Sequence, residues 1–116
     1  MKVQLQDQSL RLRIDEAELS RLLDGAPVGN RTRWPDGRIE NQQLFLGDAP
    51  SWQREADGWR VTLDETQVRA LAARLPSRDG LSMTLPVSGG GSLQLLFDVD
   101  VRDSARRRLG GRGAPE

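Results

Sequence analysis

The side chains best placed to do chemistry in this sequence are cations at alternating positions. Arg11 and Arg13 lie two residues apart, as do Arg31 and Arg33, and Lys2 and Arg60 sit in similarly alternating stretches. Residues two apart in a strand share a face, so Gln4 and Gln6 join Lys2. A guanidinium fork matches phosphate or carboxylate with two parallel hydrogen bonds. Brought into one concavity, Lys2, Arg11, Arg13, Arg31, Arg33 and Arg60 would bind an anion such as polyphosphate. The competing reading is a solvated sheet face, where these arginines pair with acids such as Glu40 and Glu55 and discourage edge-to-edge association.

Other chemistry is thinly represented. The chain has no histidine, cysteine or tyrosine, so it lacks the commonest general base, the commonest transition-metal ligand and any thiol or disulfide. Asp98 and Asp100 share one parity and could hold a divalent cation, or simply solvate the end of a strand. Asp15 and Asp64 are helix caps by position. The run Ser88-Gly89-Gly90-Gly91-Ser92 lacks the Gly-Lys-Ser/Thr ending of a phosphate loop and leads into no helix, so it is a turn. Trp34, Trp52 and Trp59 fall on apolar faces and are expected in the core. No catalytic residue, metal ligand set or cofactor site is assigned.

These residues are positioned by a unit that occurs twice. SLRLRIDEAELSRLL at Ser9 to Leu23 returns 49 residues later as GWRVTLDETQVRALA at Gly58 to Ala72. Leu10, Leu12 and Ile14 alternate with arginines, as Trp59, Val61 and Leu63 alternate with Arg60 and Thr62, which is the period of a half-buried strand. Asp15 with Glu18, and Asp64 with Gln67, have capping-box spacing at the start of a helix. Leu19, Leu22 and Leu23 then form one helical stripe; Val68, Leu71, Ala72 and Leu75 form the other. Asp24-Gly25 followed by Pro27 ends the first helix. Further strands are predicted near 2–6, 28–34, 38–46, 51–55, 81–85 and 93–101, separated by turn signals such as Pro35-Asp36-Gly37 and Asp57-Gly58. Within 38–46, Ile39 and Phe45 have one parity and Leu44 and Leu46 the other, so either a bulge interrupts the strand or its end is covered on both faces.

The order is ββαββ twice, over about 2–46 and 51–101. The expected fold is α+β, with eight mostly antiparallel strands in a curved sheet or a barrel and two helices packed on it. At 116 residues with 36% apolar content, the chain suits one small domain, residues 1–103, with much surface. Residues 102–116 carry five arginines against two acids, a net of +3, and the first 101 residues carry twelve basic and fifteen acidic groups, a net of −3. The segment 104–116 is rich in Arg and Gly without periodicity and is expected to be disordered.

The opening MKVQLQDQSLRLRIDEAEL resembles that of a family of short bacterial proteins of unknown function, which begin Met-Lys-Ile-x-Ile, then Ser-Ile-Arg-Leu-Arg-Leu, a polar cap and a helix. The matching residues are Met1, Lys2, Val3, Leu5, Ser9, Leu10, Arg11, Leu12, Arg13 and Ile14. This resemblance implies no activity and no functional residues. The doubled strand–helix–strand plan is also similar to that of triphosphate tunnel enzymes, whose first strand carries Glu-x-Glu-x-Lys to bind metal and phosphate. Here that strand reads Val3-Gln4-Leu5-Gln6-Asp7, and amides do not replace metal-binding carboxylates.

The sequence therefore predicts a cytoplasmic, non-enzymatic binding or interaction module, partnered by another protein or a second copy. The alternative is an anion- or polyphosphate-binding barrel with phosphoanhydride chemistry. Three tryptophans without tyrosine argue against a nucleic-acid surface, and no apolar stretch approaches the roughly 20 residues that span a bilayer.

Overall fold

Both strand-to-helix junctions form where the cap residues stand. The computed structural model describes residues 1–77 and 79–101, so the arginine-rich segment 104–116 lies outside the described residues. Strand β2 (Ser9–Asp15) runs directly into α1 (Glu16–Leu23). Asp15 accepts from the Glu18 N–H at 2.7 Å, and the Glu18 carboxylate accepts from the Asp15 N–H at 3.0 Å. Strand β6 (Gly58–Asp64) enters α2 (Glu65–Ala73) in the same way, with Asp64 accepting from the Gln67 N–H at 3.2 Å. Beyond the end of α1, Gly25 at φ +94° lets the Gly25 and Ala26 N–H groups reach back to the Leu22 and Arg21 carbonyls, both at 3.0 Å. That closes a Schellman motif, which a side chain at Gly25 would strain.

The remaining strands are β1 (Lys2–Gln6), β3 (Val28–Arg33), β4 (Ile39–Gly47), β5 (Ser51–Glu55), β7 (Leu81–Pro86) and β8 (Ser92–Asp100). They form two four-stranded sheets, ordered β1-β2-β8-β7 and β3-β4-β6-β5. Neither is closed into a barrel, which corrects the single curved sheet or closed barrel expected from the sequence. The central pairs, β2 with β8 and β4 with β6, are parallel; the outer pairs are antiparallel.

The internal duplication organises this topology. Placing the second copy on the first matches β5 to β1, β6 to β2, α2 to α1, β7 to β3 and β8 to β4. Each sheet then consists of the first hairpin of one copy and the second hairpin of the other. The registers agree: Ser9 faces Gln94 in one sheet, and the corresponding Gly58 faces Asn41 in the other. Neither copy owns a sheet.

One core joins the two sheets and both helices. The inward residues of β2 (Leu10, Leu12, Ile14), β6 (Val61, Leu63) and β8 (Leu95, Phe97, Val99) belong to a single buried cluster with Leu19 and Leu22 of α1 and Val68 and Leu71 of α2. Each helix packs on strands of both sheets. Arg69 of α2 also donates to the Leu23 carbonyl at the end of α1, at 2.9 Å. The helices thus plug one end of the space between the sheets. All four hairpin turns lie at the other end, because β2, β4, β6 and β8 all start there. Among the described residues, no helix is long and apolar enough to cross a membrane.

The mixed parity of β4 has a simple resolution. Its pairings with β3 and β6 are continuous, with no bulge. Leu44 and Leu46 point inward, and Phe45 points outward beneath Arg60, whose guanidinium lies 4.1 Å from the ring centroid. The strand end is covered on both faces.

Candidate functional site

The six cationic positions singled out from the sequence divide between the outer faces of the two sheets. Lys2 faces Arg13 across β1–β2, with Arg11 two residues away on the same face. Arg11 and Arg13 approach Asp98 Oδ2 on β8 at 3.5 and 3.8 Å. These are ion-pairing distances, and this buried oxygen makes no hydrogen bond. Arg31 and Arg33 lie on β3, facing Asn41 and Ile39. Arg60 lies on β6, stacked on Phe45 and bonded to Glu55 at 3.3 Å. The structure brings Arg11 and Arg13 together around one carboxylate, with Lys2 on the same face across from Arg13. It does not bring them to Arg31, Arg33 and Arg60. Asp98 therefore serves an ion pair, and no cluster of three or more His, Cys, Asp or Glu side chains placed to hold a metal occurs among the described residues.

The concave feature lies between the inner faces, at the hairpin end. A groove of about 900 Å³ opens there, lined from both sheets. One wall is aliphatic: Val3, Leu5, Leu10 and Leu93. The opposite wall carries Trp34, Trp52, Trp59, Glu40, Gln42 and Arg54. Trp34 is 50% exposed, Trp52 is 37% exposed and Leu5 is 72% exposed. This corrects the placement of the tryptophans in the core. They do face inward, but at the open end, where no helix covers them; Trp59 alone packs against the core's edge.

The duplication explains why the walls differ. In the first layer above the plug, Val3, Leu12, Phe97 and Leu81 form a cross-strand row, and their counterparts are Trp52, Val61, Leu44 and Val28. In the next layer toward the hairpin end, one sheet presents Leu5, Leu10, Leu95 and Met83, while the other presents Arg54, Trp59, Gln42 and Asn30; of these, Leu5, Leu10, Arg54, Trp59 and Gln42 line the groove. Equivalent positions are wholly apolar in one sheet and largely polar or aromatic in the other. The groove is thus built from matched positions of both copies.

The polar members are held in place. The Gln42 amide donates to Glu40 at 3.1 Å, and the Asn30 amide donates to Gln42 at 3.3 Å and to the Met1 carbonyl of the facing sheet at 2.8 Å. In the β5–β6 turn, Asp57 accepts from the outward-facing Asn41 amide at 2.6 Å, on the side of the sheet away from the groove. Arg54 lies over the Trp52 ring, 5.0 Å from its centroid. The groove thus sets one aliphatic wall against one that mixes indole rings with charged and amide side chains, and a concavity that joins apolar surface to fixed polar groups can hold a ligand in one orientation.

Sequence reading missed Glu40, Gln42 and Arg54 because parity alone does not say which face of a strand is inner. The signal was present in the repeat: at the 49-residue offset, Leu5 aligns with Arg54 and Leu10 with Trp59. Compared with known proteins, the chain matches no family model and no curated protein, so function is argued from this geometry.

Proposed function

We propose that the protein is a non-enzymatic binding module that takes its ligand in the groove between the sheets at the hairpin end. The supporting observation is the gathering there of Leu5, Trp34 and Trp52, three of the four large exposed hydrophobic side chains among the described residues. Isolated exposed apolar side chains are ordinary; a contiguous apolar lining in a concavity marks a binding surface. The neutral dye Nile red tests this. Saturable one-to-one binding is expected, with energy transfer from tryptophan. Leu5→Asp should weaken it at least tenfold, about 1.4 kcal/mol, while leaving the melting temperature nearly unchanged. Unsaturable binding, or binding indifferent to Leu5→Asp, overturns the reading.

A second, narrower reading retains the anion. Lys2, Arg11 and Arg13 share one face, although Asp98 offsets part of their charge. Tripolyphosphate should then raise the melting temperature at low salt, and less so at high salt. No stabilisation at either salt concentration removes that reading.

A further inference from the structure

One cation of the groove is left without a counter-charge. Arg54 lines the groove and lays its guanidinium over the Trp52 ring, 5.0 Å from the centroid. Among the described residues that guanidinium makes no hydrogen bond and no ion pair. Its neighbours differ. Arg38 lies 3.8 Å from Asp36, and Arg60 lies 3.3 Å from Glu55. Glu40 accepts from the Gln42 amide and stands on β4, which β6 separates from Arg54 on β5. Stacking on the indole leaves the guanidinium donors free, because they lie in the guanidinium's own plane. The facing wall is the aliphatic one of Leu5, Leu10 and Leu93. A planar donor fork beside a strip of apolar surface matches a carboxylate at the end of a hydrocarbon body.

From this arrangement we infer that the groove takes an aliphatic monocarboxylate, its two oxygens on the Arg54 fork and its chain on Leu5, Leu10 and Leu93. The inference rests on the groove reading above and names the ligand class. One negative charge suits the site better than two. Asp36, Glu40 and Glu55 also border the groove, and a phosphate dianion would meet them with a single unpaired guanidinium in its favour. A neutral chain would gain the wall alone. An ammonium would be repelled by Arg54.

Displacement of Nile red by octanoate, octanol, octyl phosphate and octylammonium tests the inference, since the four share one chain. Octanoate should compete best, about tenfold more strongly than octanol, and its lead should shrink as salt is raised. Arg54→Leu replaces the cation by the residue type at its repeat counterpart, Leu5. Arg54 is exposed, so folding should survive, which thermal unfolding checks. In this variant octanoate should lose its lead, while octanol binds as well or better. Arg54→Lys, which keeps the charge without the fork, should retain part of the lead. Octanoate that competes no better than octanol, or a lead that survives Arg54→Leu, overturns the carboxylate assignment and leaves the groove as an apolar site. Octyl phosphate or octylammonium competing more strongly than octanoate also overturns it, as does Nile red that binds but yields to none of the four. Failure of Nile red itself to bind would remove the groove reading on which the inference depends.

Discussion

A carbonyl oxygen decides the fate of Gly58. This residue opens β6 at φ +155°, and a Cβ built on it would lie 1.7 Å from the Asn41 carbonyl oxygen. That oxygen is fixed, because Asn41 sits mid-strand in β4 and its own N–H donates to the Asp57 carbonyl at 2.6 Å. Gly58→Ala must therefore push β4 and β6 apart at their start. We expect a loss of about 3 kcal/mol in urea unfolding, in the range of strained-backbone and overpacking substitutions. The Asp57-Gly58 pair was legible in the sequence as a turn, and the structure adds the reason that only glycine fits. Phe45 shows where residue-level reading stops. Its parity disagreed with Leu44 because Arg60, on a different strand, covers its outer face. A stacking partner supplied by tertiary pairing leaves no mark in the local pattern.

The elements that could be read most fully were the two strand–helix junctions, since caps act through bonds three residues apart. They are not equal. Asp15 has the complete reciprocal box, with Glu18 returning a bond to the cap N–H, whereas Asp64 shows the forward bond alone. Asp15→Ala should cost about 1 kcal/mol, and Asp64→Ala somewhat less, as read from chemical denaturation midpoints. The two effects should add, because the caps lie at the starts of different helices with no shared partner. Strand limits were also close to expectation. What the pattern could not supply was pairing. The parallel contact of β2 with β8 joins segments far apart in the chain, that of β4 with β6 skips over β5, and alternation specifies a buried face without specifying a neighbour. The groove was hidden for the same reason. Trp34, Trp52 and Trp59 look like core until the sheet ends and the plugged end are known.

At the scale of the whole molecule, the exchange of hairpins makes each half dependent on the other. A chain comprising 1–48 holds β1 and β2 of one sheet and β3 and β4 of the other, with no partner for the central parallel pairing of either. Alone and dilute, it should show no cooperative unfolding transition. Mixed with 49–101, it should recover one, with a single mass in light scattering equal to one copy of each. A half that unfolds cooperatively as a monomer would contradict the interleaved topology. The pairing of β2 with β8 predicts slow folding for a domain of this size, because these central strands close a loop that takes in most of the chain before they meet.

The interleaving has a consequence for how recognition could become specialised. Two identical chains associated in this manner would face each other with linings made equivalent by a two-fold rotation, and any alteration of one would be duplicated in its opposite. Fusion into a single polypeptide releases that constraint. Leu5 can stay oily while Arg54, its twin across the pseudo-dyad, becomes charged, and a lopsided ligand with one greasy flank and one polar flank can then be held in a single orientation.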